Sequence, residues 1–520
     1  MRRSLPLFTV VVLALFGWAA PAHAGTTTGF RFVDITAPDG VVLKANVIEP
    51  TSPGRHPAIV FPSSWGLNDL EYLAQANALA QGGYTVVSYT PRGWWASGGE
   101  VDTAGPKDIA DVSRVLDWTV ANTTADASRL GMAGVSYGAG ISLIASGHDS
   151  RIRAVAALSG WSDLVSSLYG GDTRRLQSSA LLVGAAALLA DTSDEFDRVI
   201  GDFYANRNID GVKSFARARS AGTYLSAINA SHPAILMANG YGDSIFPPNQ
   251  LTDFFTGLTG PKRLEFAPGD HAIPELTGLA GLDNHVWTSV RRWMDRYLQG
   301  AANGIDTEPP VVLRSLTGGA AESYPSWAAV NTTTTRYGLG EVSWLTGTGS
   351  LGGAPSTGWS RRTWFTVDTV AAGGVILLSN GLQALTGIPP TAWIPAVDRN
   401  AAGVWQADDA SSTIRIRGAA TVHARFTPTE RSGTLVAYLY DVDWAGTGRL
   451  ITQAPGSWLN GTANAVRTLD IKLPATSWDV PAGHHLALVI DGHDGFYLDE
   501  NGTLGSVLFT GQSWLDLPVR

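Results

Sequence analysis

Between residues 30 and 298 short apolar runs alternate with stretches of helical period, and few architectures accept that rhythm. Residues 58–61, 84–89, 130–133, 152–158, 233–237 and 263–266 are runs of the kind buried on both faces of a parallel sheet. Between them Leu70, Leu73, Ala76 and Leu79 recur at helical spacing. So do Ile109, Val112, Val115 and Leu116 behind Pro106, and Val286, Val290, Met294 and Leu298 near the end. A hairpin precedes the series, with strands at 30–35 and 41–47 around Asp39-Gly40, a pair that tolerates the positive φ of a tight turn. The alternation predicts an α/β class, a mostly parallel sheet covered by helices on both faces.

With 520 residues the chain is too long for one ordinary core. Residues from about 162 to 230 break the rhythm with helical signals only and are expected to form a cap over the strand ends. Its apolar stretch 181–190 is too short to span a bilayer and reads as a buried cap helix. After Gly300 the character changes. Pro309-Pro310 closes a linker, and the remainder is rich in Thr, Gly and Trp with alternating segments at 414–418, 434–440, 469–473 and 485–490. Many short strands parted by turns predict an all-β sandwich of jelly-roll type. The expected domains are 25–303 and 304–520.

The N-terminus carries Arg2 and Arg3, an apolar core from 8 to 18, and Ala22-His23-Ala24, the three parts of a secretory signal cleaved after Ala24. No membrane anchor is expected after that cleavage. The chain has no cysteine, so any exported form does without disulfides, as a bacterial secreted or cell-envelope protein can. A formal net charge of −9 without a basic block gives no reason to expect nucleic acid as a partner.

The chemistry centres on Gly134-Val135-Ser136-Tyr137-Gly138. A serine hydroxyl needs a base to take its proton and donors to receive the developing oxyanion. Gly-x-Ser-x-Gly supplies the geometry, a tight strand-to-helix turn whose small residues let backbones pass closely. With 59 glycines in the chain, roughly half a match would arise by chance, so context decides. Here a strand precedes Ser136 and residues 140–145 can start a helix, which places the Tyr137 amide as an oxyanion donor. The partners should follow as acid, then histidine. Asp243 follows the strand 235–237, and His271 follows the strand 264–266, on the same sheet edge as Ser136. Asp270 is expected to shape the turn rather than act as the acid.

Among ten histidines, His232 and His285 read as packing or solvent-facing, and His423, His484, His485 and His493 belong to the β-region. The second oxyanion donor is expected from the loop Pro62-Ser63-Ser64-Trp65-Gly66, as the amide of Ser64 or Trp65, with the Ser63 hydroxyl an alternative. Trp65, Trp94, Trp95 and Trp161 lie near this edge. Each can pack between sheet and cap, and Trp161, where the cap begins, is the candidate for contacting substrate. Asp491-Gly492-His493-Asp494 with Asp499 and Glu500 lacks the spacing of a calcium loop. No phosphate loop or dinucleotide fingerprint appears, and neither a cofactor nor a metal is expected.

Several motifs occur together in order: Tyr89-Thr90-Pro91-Arg92-Gly93 with Ser97-Gly98-Gly99, then Asp108, Asp111 and Asp117-Trp118, then the Ser136 turn. Asn239-Gly240, Asp243-Ser244-Ile245-Phe246-Pro247-Pro248 and His271 follow, and later Ile416-Arg417-Gly418 and Leu439-Tyr440-Asp441-Val442-Asp443. In this order they resemble the X-Pro dipeptidyl-peptidase and cocaine-esterase family of serine hydrolases. The resemblance implies an α/β-hydrolase core with a helical cap and a C-terminal jelly roll. It implies hydrolysis of peptides after a penultimate proline, or of esters and related acyl compounds, through an acyl-enzyme. The family often has a tyrosine in the oxyanion loop where this chain has Ser63, which favours a backbone donor. No acidic residue for a substrate's free N-terminus can be identified. An esterase or acylase for small or lipid-like esters is the nearest alternative, and an inactive polymer-binding protein is the alternative from another class.

Overall fold

The computed structural model describes residues 27–365 and 367–520, so the expected secretory signal at 1–24 lies outside the described residues. β1 (Thr28–Thr36) and β2 (Val42–Pro50) pair antiparallel across Asp39-Gly40, with Phe30 opposite Ile48 and Ile35 opposite Leu43. β3 (His56–Pro62), β4 (Thr85–Tyr89), β5 (Ala125–Val135) and β6 (Ile152–Leu158) follow, linked by α1 (Leu73–Gln81), α2 (Pro106–Asn122) and α3 (Tyr137–Ala145). Every residue of β4 is buried, because helices cover both sides of the sheet. Successive β3 residues serve opposite layers. Ala58 and Val60 join the core under α2 and α3, whereas Ile59 and Phe61 join the one under α1.

The cap comprises α4 (Leu164–Leu168), β7 (Arg174–Arg175), α5 (Leu176–Leu189), α6 (Asp194–Tyr204), α7 (Ile209–Ala218) and α8 (Leu225–Ser231). Two expectations are corrected here. The segment is not purely helical, since β7 pairs with Tyr497–Leu498 of the C-terminal region. α5, expected to be buried, is covered on one side only, and Leu188 is 73% exposed. Its apolar residues run around the whole helix, so the sequence offered no face to distinguish.

The sheet resumes with β8 (Ala234–Gly240), α9 (Asn249–Gly257), β9 (Lys262–Ala267), α10 (Ile273–Leu279) and α11 (His285–Met294). It then takes up β10 (Val311–Leu313) and β11 (Glu322–Tyr324), giving the order β1-β2-β4-β3-β5-β6-β8-β9-β10-β11. The first sheet therefore passes the expected boundary at 303. Pro309-Pro310 is not a free linker, because the Leu264 amide donates to the Pro310 carbonyl at 2.8 Å and starts the β9–β10 pairing. Three-residue strands are too short for periodicity to reveal.

The remainder is a two-sheet sandwich. The strand Thr333–Val342 belongs to both sheets, pairing first with Trp514–Val519 and then, past an irregularity, with Thr348–Leu351. Inward residues such as Val422, Ala424 and Phe426 of one sheet meet Leu435, Ala437 and Leu439 of the other. The outer face of Gly433–Val442 carries Val436, Tyr438, Tyr440 and Val442, and Ala371, Ala392, Ile394 and Val397 cover it. Their covering segment contains α12 (Leu378–Thr386) and reaches back to the first domain. The whole is an α/β-hydrolase core with a cap insertion followed by a jelly roll. Among the described residues no helix is long and apolar enough to cross a membrane.

Candidate active site

Ser136 sits between β5 and α3 with φ 55° and ψ −114°, a conformation that side chains rarely adopt. The glycines around it make the turn possible. A Cβ on Gly134 would lie 2.5 Å from the Gly138 carbonyl carbon, and one on Gly138 would lie 2.1 Å from the Pro62 carbonyl oxygen. The Val135 amide donates to the Tyr72 hydroxyl at 2.9 Å, which holds the end of β5. The Tyr137 side chain is anchored away from the turn, its hydroxyl donating to Asp108 Oδ2 at 2.6 Å.

The loops after β8 and β9 bring Asp243 and His271 to this turn. His271 Nε2 lies 2.8 Å from Ser136 Oγ and His271 Nδ1 lies 3.0 Å from Asp243 Oδ2. In the tautomer this fits, Ser136 donates to Nε2 and Nδ1–H donates to the carboxylate. Asp243 Oδ1 accepts from the amides of Ile245 at 3.0 Å and Phe246 at 2.7 Å, so the carboxylate is fixed from both sides. Burial works against a charged His271, yet the adjoining Asp243 carboxylate and its hydrogen bond outweigh it and hold the imidazole pKa above 6.5. Asp270 does not touch Ser136. Its Oδ1 accepts from the amides of Ser244 at 2.8 Å and His271 at 2.7 Å, and its Oδ2 from the Leu377 amide at 3.1 Å, which joins both loops to the start of α12.

The oxyanion loop departs in part from expectation. The Ser64 amide donates to Glu71 Oε2 at 2.7 Å and the Ser64 hydroxyl to Glu71 Oε1 at 2.6 Å, so Ser64 is committed elsewhere. The Ser63 hydroxyl donates to the Leu67 carbonyl at 3.1 Å. Among the described residues the Trp65 and Tyr137 amides donate to no protein acceptor, which leaves these two for an oxyanion. Glu71 folds back from the residues before α1, a contact within one loop, seven residues along the chain, that has no sequence signature. Burial pushes its carboxyl up to about 7 despite the Ser64 bonds.

A cavity of about 110 Å³ opens onto Ser136 beneath the cap. Trp65 and Trp161 line it, whereas Trp94 is wholly buried and Trp95 is 53% exposed. The Trp161 ring packs flush on α3, since a Cβ on Gly140 would meet it at 2.4 Å, and its indole N–H donates to the Arg219 carbonyl at 2.7 Å. Sequence reasoning missed Phe246 and the cap side chains of this wall, among them Phe196, Val199, Ile200 and Phe203. Those four recur at i, i+3, i+4 and i+7 along α6, a signal that would have found them. Among the described residues Lys213 is the one charged residue of the wall. Asp491 and Asp494 turn into the β-domain, accepting from the Thr369 hydroxyl and the Gly373 amide respectively, each at 2.7 Å.

Comparison with known proteins gives a match in each half. Residues 39–273 match the model of the X-Pro dipeptidyl-peptidase (S15) family, and residues 303–504 match that of the X-Pro dipeptidyl-peptidase C-terminal non-catalytic domain. Among solved structures, an alpha-amino acid ester hydrolase superposes with a TM-score of 0.73 at 16% identity, over 98% of this chain and 100% of that one. An aminopeptidase from the marine sediment archaeon Thaumarchaeota archaeon gives 0.71 at 13% identity, over 96% and 98%. A CocE/NonD family hydrolase from Staphylococcus aureus gives 0.71 at 12% identity, over 94% and 93%. An uncharacterised 31.7 kDa protein of Escherichia coli is 22% identical over 259 residues, covering 45% of this chain and 88% of that protein. At these identities the solved structures show a common fold for both halves.

Proposed function

The chain belongs to the X-Pro dipeptidyl-peptidase and cocaine-esterase-like family of α/β-hydrolases, and from that premise we propose that it hydrolyses esters of apolar acyl groups, with Ser136 as nucleophile. It is a serine hydrolase of X-Pro dipeptidyl-peptidase or ester-hydrolase type. The observation that carries the choice between them is the cavity wall at Ser136, which is largely apolar and among the described residues has no carboxylate. A dipeptide with a free N-terminus would bring an ammonium group into contact with that wall, where Lys213 already holds Asp172 at 2.7 Å, and a buried charge without a counter-ion is costly. An apolar acyl group meets no such penalty.

In this reading His271 takes the Ser136 proton through Nε2 as Oγ attacks the ester carbonyl. The Tyr137 and Trp65 amides receive the oxyanion, and His271 returns the proton to the leaving alcohol. Water then repeats the cycle on the acyl-enzyme. Asp243 keeps the Nδ1 proton in place and stabilises the imidazolium. Trp161 shapes the acyl wall.

A chain-length series of nitrophenyl esters, run beside Xaa-Pro anilides with Ser136→Ala as blank, tests the proposal. Higher kcat/KM for the esters, with no gain from a free N-terminus in the anilides, supports it. Preferred cleavage of an anilide that requires a free N-terminus selects the dipeptidyl-peptidase reading, which both family models favour by their descriptions. Export through residues 1–24 belongs to the same proposal, and N-terminal sequencing of secreted protein should begin at Gly25.

A further inference from the structure

A second cavity, of about 70 Å³, lies behind the Asp243 loop where the cap meets the β-domain. β7 of the cap contributes Arg175 to its wall, and the β-domain contributes Gln453 and Thr476. The two arginines of β7 have different environments. Arg174 pairs with Glu500 at 2.5 Å and donates to the Tyr204 carbonyl at 2.6 Å. Arg175 is only 8% exposed, its Nε is buried and donates to nothing, and among the described residues no carboxylate lies within ion-pair distance of it. Its guanidinium carbon stands 5.5 Å from the Tyr497 ring centre, and the Tyr497 hydroxyl, which donates to Gln453 Oε1 at 2.8 Å, offers Arg175 a neutral acceptor but no counter-charge.

The remaining wall chemistry points the same way. The Thr476 hydroxyl is buried without a partner, and the Gln453 amide nitrogen is a further donor. Asp243 is the one carboxylate on the wall, and both its oxygens are engaged, by the Ile245 and Phe246 amides and by His271. Among the described residues the wall therefore offers this full positive charge neutral polar groups but no free carboxylate. A guanidinium does not shed its proton, so the charge remains and calls for a counter-ion.

We propose that this cavity is a binding site for a small monovalent inorganic anion of halide size, held by Arg175 with Gln453 and Thr476. The ion neutralises the buried guanidinium and ties β7 of the cap to the β-domain. The volume suits such an ion and excludes an extended chain.

Bromide serves as the probe, with the full chain at constant ionic strength maintained by gluconate. Wild-type Tm should rise saturably with bromide, by roughly 2–4 °C. Arg175→Met should show no rise, and Arg175→Lys, which keeps a cation, should retain part of it. Crystals of the wild-type protein soaked in bromide should show an anomalous peak against the Arg175 guanidinium. Equal bromide slopes in wild type and Arg175→Met mean an adventitious ion only and overturn the proposal. Absence of the peak overturns it as well, and that measurement does not depend on any variant folding.

Discussion

Ser136 and His271 lie 135 residues apart, and His271 and Asp243 lie 28 apart, yet three strand ends bring them within hydrogen-bond reach. Each side chain depends on the next. Replacing Asp243 with Asn would leave the imidazole without the carboxylate that keeps its proton on Nδ1, and kcat is expected to fall by about 10²–10⁴-fold. The pH profile provides a second readout. His271 must be neutral to accept the serine proton, and its pKa is held above 6.5 chiefly by Asp243 acting against burial. Wild-type kcat/KM should therefore rise with a midpoint above 6.5, and Asp243→Asn should move that midpoint down. An unmoved midpoint would mean that another group governs the profile. Ser136→Ala should abolish fluorophosphonate labelling while Tm stays near the wild-type value.

At the scale of elements, the β5–α3 turn and α10 carry the strain of the site. Gly138→Ala would drive a methyl group into the Pro62 backbone, which the parallel β3–β4 pairing holds in place beneath the first turn of α3. A loss of about 3 kcal/mol or more is expected in denaturant unfolding, with activity lost alongside. α10 buries Glu275, and burial raises its pKa to about 7 despite the nearby Ser159 hydroxyl. A carboxyl raised in the folded state contributes stability that is present below its unfolded pKa near 4.5 and is lost as pH rises through about 7. Glu275→Gln should thus match wild type in unfolding free energy near pH 4.5 and exceed it at pH 8 by on the order of 3 kcal/mol, with Tm following. A Tm difference that does not change with pH would show that Glu275 stays ionised throughout.

Across the whole molecule the two domains are joined by a buried ion cluster as well as by the Asp270–Leu377 bond. Arg417 of the jelly roll is fully buried and reaches Glu322 of β11 at 2.8 Å and Asp479 at 2.7 Å. The Arg417 hydrogen bond leads in holding Glu322 down at about 2, so its contribution is present above 4.5 and fades only as pH falls toward 2. Glu322→Ala would leave Arg417 with Asp479 as its one carboxylate partner and should cost roughly 1.5–3 kcal/mol. Calorimetry is expected to show one transition in the wild type and two in the variant, as the domains uncouple. A single transition in both would place the coupling elsewhere.

Much of this protein was readable from residue order alone. Apolar runs such as 152–158 mark buried parallel strands because both faces are covered, and Gly134, Ser136 and Gly138 mark the turn because backbone clearance permits nothing larger. These are local constraints, written within a few neighbouring residues. Contacts between distant segments left no such trace. Asp270 linking the Asp243 and His271 loops to α12, and β10 extending the first sheet past Pro310, both depend on segments that meet only after folding. The acyl pocket lies between these limits, since α6 carries its stripe openly while its target is set by how the cap docks. Local periodicity and turn sterics thus determined the elements and the turn that presents Ser136. Tertiary packing alone decided which amides remain free for an oxyanion and which charges lie buried beside the site, because burial and desolvation are properties of the assembled interior.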